Sequence, residues 1–168
     1  MLRALQRALL RFPFSASSPG VISLRIYALQ YAEPPLLEVF YDRPAGIDTV
    51  IQAAAEFRGG DCGYLVGGYW DLWQRDGGWR LTPAPVLLGC YGPEFENDIG
   101  DQLRFELGLD SHFLPRPGLP ESAPKVKSNI RSVLRLAQEL DQALPVLKRR
   151  LWTESGEDFA ARLRSLAG

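Results

Sequence analysis

The chain has 168 residues, 46% of them hydrophobic and 23% charged, with 19 Lys and Arg against 20 Asp and Glu. That is the length of one ordinary domain, which buries a core without disulfide or metal staples. A formal net charge of −1 lacks the basic excess that general nucleic-acid binding needs to displace phosphate counterions. No apolar run reaches the ~18 residues of a membrane span, and two cysteines make no disulfide framework. The expectation is a soluble, cytoplasmic protein with no transmembrane segment.

Leu2, Leu5, Leu9 and Leu10 fall near helical spacing between Arg3, Arg7 and Arg11, and Pro13 closes the pattern. The spacing predicts a short amphipathic helix over 2–11. No acidic residue precedes Glu33. This basic arm, residues 1–20, is set apart from an α+β domain over 21–168. A packing helix, an organelle-targeting segment and a membrane-surface anchor are its three readings. Pro13, Ser15 and Pro19 break the apolar run that a secretory signal requires.

Residues 21–31 and 36–42 are rich in β-branched and aromatic side chains, and Glu33-Pro34-Pro35 separates them as a loop. A helix follows, with Asp48 as the expected cap, Ile47, Val50, Ile51, Ala54 and Phe57 as its stripe, and Gly59-Gly60 as its end. Residues 62–74 and 79–90 form a hairpin across Asp76-Gly77, whose two turn positions are expected at positive φ. Pro83 and Pro85 require a bend, a bulge or a sheet edge. Gly67-Gly68 marks a bulge or a close approach of another group. A shorter strand near 102–107 places Leu103, Phe105 and Leu107 on one face.

Four prolines between 114 and 124 read as an extended crossing. Val126, Ile130, Val133, Ala137, Leu140 and Leu144 then recur at helical spacing from a start at Ser122 or Ser128. Pro145 interrupts, 146–152 are expected to add one or two turns, and Ser155 with Asp158 caps a last helix carrying Phe159, Leu163 and Leu166. The fold expected is a single α+β domain. It has an antiparallel sheet of about five strands over 21–113, one inserted helix, and a C-terminal helical layer over 122–167 on one face.

No motif names a reaction. His112 is the single histidine. With Cys90 or Cys62 and a carboxylate it would compose a nucleophile site, but neither cysteine sits in a local signature. Two cysteines and one histidine fall short of a zinc set. Glu94, Glu96, Asp98 and Asp101 crowd one loop, yet a calcium loop begun at Glu94 would need glycine where Ile99 stands and glutamate where Phe105 stands. Glycines 59, 60, 63, 67 and 68 lack the lysine and hydroxyl of a phosphate loop. No metal and no cofactor is expected.

The unusual feature is aromatic. Tyr64, Tyr69, Trp70, Trp73 and Trp79 fall within sixteen residues, and on alternating strands they cannot all enter one core. The functional expectation is a non-catalytic interaction module. It would dock another protein, or a second copy of itself, through Tyr69, Trp70, Asp71, Trp73 and Trp79 of the hairpin and Glu94, Glu96 and Asp98 of the acidic loop. The alternatives are a small-molecule enzyme using Cys90, His112 and the acidic loop, or a ligand-binding domain lined by Tyr64, Trp70 and Trp79.

Overall fold

The computed structural model describes residues 1–115, 118–153 and 159–160. In chain order the elements are helix α1 (Leu2–Arg11), strands β1 (Val21–Ala28) and β2 (Leu37–Ala45), helix α2 (Ile47–Ala54), strands β3 (Cys62–Asp76), β4 (Gly78–Tyr91) and β5 (Leu103–Glu106), a single 3-10 turn at Asp110–His112, and helix α3 (Ser122–Ala143). The strands form one antiparallel sheet in the order β2-β1-β3-β4-β5, so the protein is α+β. The residues cluster into two compact units: 1–70 with 83–107, and 71–82 with the described residues from 108 onward.

In the first unit, Leu24 and Ile26 of β1 stand opposite Val66 and Tyr64 of β3. All four are fully buried, as are Leu5, Ala8 and Leu9 of α1 and Val50 and Ala54 of α2. Phe12, just past α1, packs with its ring centre 5.9 Å from that of Trp70, and the Met1 carbonyl lies 3.8 Å from the Cys90 thiol. The helices therefore cover this face of the sheet. Strand alternation sends Ser23, Arg25 and Tyr27 to the opposite face, with Phe40 and Glu38 beside them on β2; none of these five is buried.

Gly20 shows why the turn into β1 requires glycine. Its φ is +150°, and a Cβ there would lie 2.5 Å from the Ala45 carbonyl oxygen. Beyond it the ladder slips between Val21 and Ser23 against both neighbours. Val21 pairs Ala45 while Ser23 pairs Phe40, so β2 carries an irregular bulge over 41–44. Gly68 is a close approach: a Cβ there would sit 2.7 Å from the Phe14 ring.

Several local expectations are corrected. The cap of α2 is Gly46, with no side-chain bond, while Asp48 is a first-turn residue that accepts from Gln6 at 3.5 Å. The helix stops before its glycines, because Glu56 and Phe57 bond three residues back and the Phe57 carbonyl is taken by the Tyr64 hydroxyl at 2.5 Å. At the hairpin tip Gly77 alone has positive φ, +66°, because β3 continues through Asp76 and β4 resumes at Gly78. Pro83 and Pro85 lie within β4, outside the Leu87–Cys90 stretch that pairs with β5.

In the second unit, α3 begins at Ser122 as a helical residue rather than a cap, and Pro124 is tolerated in the first turn, where its missing N–H is no loss. The buried stripe is Val126, Asn129, Ile130, Val133 and Leu136, so Leu136 takes the place expected for Ala137. Residues 145–150 add no helical turn, since Leu144 is extended with ψ 149°, the conformation that a following proline favours. Phe159 and Ala160 are helical; Ser155, Asp158, Leu163 and Leu166 lie outside the described residues.

Candidate functional site

Each sequence-selected residue has a definite place. Trp70 corrects the expectation of an exposed anchor: it is 1% exposed, its indole N–H donates to the Leu107 carbonyl at 3.1 Å, and it belongs to the first unit's core. Tyr64 is fully buried too, so of the three residues expected to line a ligand cleft only Trp79 reaches the surface. Tyr69, Asp71, Trp73 and Trp79 are each half-buried. The Lys125 ammonium sits 3.4 Å over the Trp73 ring, a cation–π contact that occupies the face a partner would use. Trp79 keeps a buried indole N–H that has no partner among the described residues.

Cys90 and His112 fall in different units. Burial pushes the Cys90 thiol up from an ordinary value near 9 to about 11, so it is protonated at neutral pH, whereas a nucleophile must be thiolate. Thiol-specific reagents are therefore expected to leave Cys90 unmodified until the protein unfolds; stoichiometric labelling of the folded chain would contradict its burial. The shift also links pH to stability. Below pH 9 folded and unfolded chains both keep the proton; between about 9 and 11 the unfolded chain loses it first, so stability falls as pH rises. Denaturant titrations at about pH 8 and pH 10.5 should show that fall, smaller in Cys90→Ala. The Tyr64 hydroxyl, raised by burial to about 12, adds to the same trend.

His112 closes the 3-10 turn, its Nδ1 accepting from the Leu109 amide at 3.2 Å. Its carbonyl accepts from Asn129 Nδ2 at 2.8 Å. Asn129, 1% exposed, also accepts from the Trp73 amide at 2.8 Å and donates to the Trp73 carbonyl at 2.9 Å. Its side-chain amide thus acts as a one-residue strand partner for β3, beyond Gly68 where the β1 ladder ends. Both residues of the turn and helix serve architecture.

The acidic loop is held rigid by its neighbours. Phe95, 6% exposed, packs between Tyr31 and Tyr91 at 5.2 and 5.4 Å, and the two tyrosine hydroxyls bond at 2.5 Å. Burial and that bond push the Tyr31 hydroxyl far above its ordinary range. The Glu94 amide donates to Gly60 and the Glu96 amide to Leu29. Asn97 Oδ1 accepts from the Ile99 and Gly100 amides. Asp101 forms a two-pronged pair with Arg104, which holds the guanidinium charged well above its ordinary range. Glu94, Glu96 and Asp98 remain exposed, without an ion pair among the described residues. No metal-holding group of three or more His, Cys, Asp or Glu occurs among the described residues.

The feature missed in the hairpin-centred reading is the outer edge of the sheet. β2 terminates it, and its pattern places Leu37, Val39 and Tyr41 toward the helices and Glu38, Phe40 and Asp42 away. Phe40 is 64% exposed. The Arg25 guanidinium lies 5.4 Å from its ring centre and pairs with Glu38 at 2.7 Å. Edge strands are normally guarded by charges or proline. Here the Glu38 charge is folded onto Arg25, the centre reads Val39-Phe40-Tyr41, and Pro44 stands at the far end.

No helix among the described residues is long and apolar enough to cross a membrane. No family model matches the chain, and neither do the curated proteins or solved structures with which it was compared.

Proposed function

We propose that the protein is a non-catalytic interaction module that takes an extended segment of a partner protein along the outer edge of β2. The observation that carries this reading is Phe40: a large aromatic, 64% exposed, midway along an edge strand whose outer backbone groups have no ladder partner among the described residues. An added strand receives affinity from main-chain hydrogen bonds and specificity from its alternate side chains. Phe40, flanked by the Arg25–Glu38 pair, supplies the side-chain contact, and the bulge beyond it fixes where pairing must stop. The partner segment is one with an apolar residue to pack on the ring. The hairpin aromatics that first suggested docking are less suited, with Trp70 in the core and Trp73 under Lys125.

The test uses a displayed library of linear peptides selected on the intact protein. Phe40→Ala is expected to weaken the selected peptides by about 2 kcal/mol, roughly thirtyfold, with an unchanged melting temperature, because an exposed ring is desolvated only in the complex. Peptides that bind Phe40→Ala as tightly as the native chain would overturn the reading.

A further inference from the structure

The second surface is charged. Arg3, Arg7 and Arg11 are spaced i, i+4, i+8 on α1 and are exposed, while Leu5, Ala8 and Leu9 on its other side are fully buried. None of the three arginines pairs with a carboxylate among the described residues. Successive members of the stripe lie about 6 Å apart along the helix axis, so a partner must present several carboxylates over a short distance. The same unit carries such a set: Glu94, Glu96 and Asp98, exposed and without ion pairs among the described residues, on a loop held by Phe95 and Asn97.

The N-terminal end of α1, with Arg3, lies toward the end of the first unit that carries the acidic loop, while Arg11 adjoins Phe12 beside Trp70 one helix length away. The Met1 carbonyl touches the Cys90 thiol at 3.8 Å, and the chain enters the acidic loop two residues after Cys90. A positive patch and a negative patch carried on one unit are self-complementary under a twofold axis: each stripe meets the other copy's loop, and the contact closes at two chains. We propose that the protein self-associates in this way, with the arginine stripe of α1 in one copy docked on the acidic loop of a second copy. The surface shares no residue with β2. A lipid surface fits less well, since the apolar side of α1 is already spent in the core and three arginines alone adsorb weakly. With a net charge of −1, general attraction to nucleic acid is also absent.

Sedimentation of two charge-reversal variants of the full chain tests the pairing. One carries Arg3→Glu, Arg7→Glu and Arg11→Glu; the other carries Glu94→Lys, Glu96→Lys and Asp98→Lys. The native chain is expected to dimerise at low ionic strength and to weaken about tenfold or more as salt is raised, because exposed charges are screened. Each variant alone should remain monomeric, since its two patches then carry one sign. An equimolar mixture of the two variants should form a heterodimer, the stripe of each having regained an opposite partner. Circular dichroism melts of both variants check that these surface changes leave the fold intact. A native chain that stays monomeric at low salt, or variants that fail to pair when mixed, would overturn the proposal. So would an arginine-dependent adsorption of the monomer to phosphatidylserine vesicles, which would assign the stripe to a membrane surface.

Discussion

Truncating Trp70 to alanine is expected to destabilise the protein by about 3–5 kcal/mol, the cost of lost transfer energy plus the cavity left where neighbours cannot collapse. The ring is 1% exposed, lies against Phe12, and satisfies the Leu107 carbonyl through its indole N–H. Trp70→Phe separates the two contributions: it restores much of the volume but leaves that carbonyl without its donor, so it should fall between the native chain and alanine. Chemical denaturation monitored by circular dichroism reads both. A loss under about 1 kcal/mol for Trp70→Ala would contradict its place in the core.

The second large effect is expected at Asn129. Leucine shares the branched outline of asparagine but carries two methyl groups and is larger, so Asn129→Leu removes the polar partners and adds some crowding within the buried stripe of α3. It leaves the Trp73 amide, the Trp73 carbonyl and the His112 carbonyl unsatisfied in a buried place, at an expected cost of about 2–4 kcal/mol. Asn129→Asp should not rescue it. A carboxylate accepts from the Trp73 amide but cannot donate to two carbonyls, and burying its charge is costly even with Lys125 one helical turn away. Melting temperatures within a degree of the native value for both variants would show that these hydrogen bonds contribute little. A stable leucine variant beside an unstable aspartate one would assign the cost to the charge alone.

The long periodic elements were legible in the sequence because burial enforces their period. The leucines of α1 fix one buried side, and β-branched and aromatic runs bounded by proline and glycine mark the strands, so Leu2–Arg11 and the five-strand antiparallel sheet follow from pattern. The ends were less legible, because they depend on contacts between distant residues. The Tyr64 hydroxyl takes the Phe57 carbonyl seven residues back, and nothing in Ala55-Glu56-Phe57 announces it. The turn at Gly77 needed one positive φ rather than two, set by strand register rather than by Asp-Gly itself.

The sites divide in the same way. Crowding of aromatics correctly showed that the hairpin rings could not share one environment, but alternation could not tell which face would be covered. Trp70 went inward and Trp73 received Lys125, a contact across 52 positions of chain. Two other signals in the sequence carry more. Phe40 is an apolar residue on the polar side of an alternating strand, between Glu38 and Asp42. Asn129 is a polar residue on the apolar stripe of α3, between Val126 and Val133. Each breaks its local pattern, and such breaks mark either a solvent-facing anchor or a buried amide with a fixed partner. Tertiary structure assigned one to each.

An added strand on β2 would protect the amides that point outward from it, and amide hydrogen exchange reads that directly. The native protein would be followed with and without a saturating peptide selected from the displayed library. Slowed exchange at the outward amides of Leu37–Phe40 on binding, with the amides of α3 unchanged, is the result expected when main-chain bonds form along this edge up to the bulge. Peptide binding that leaves the β2 amides exchanging at their free rate would contradict it.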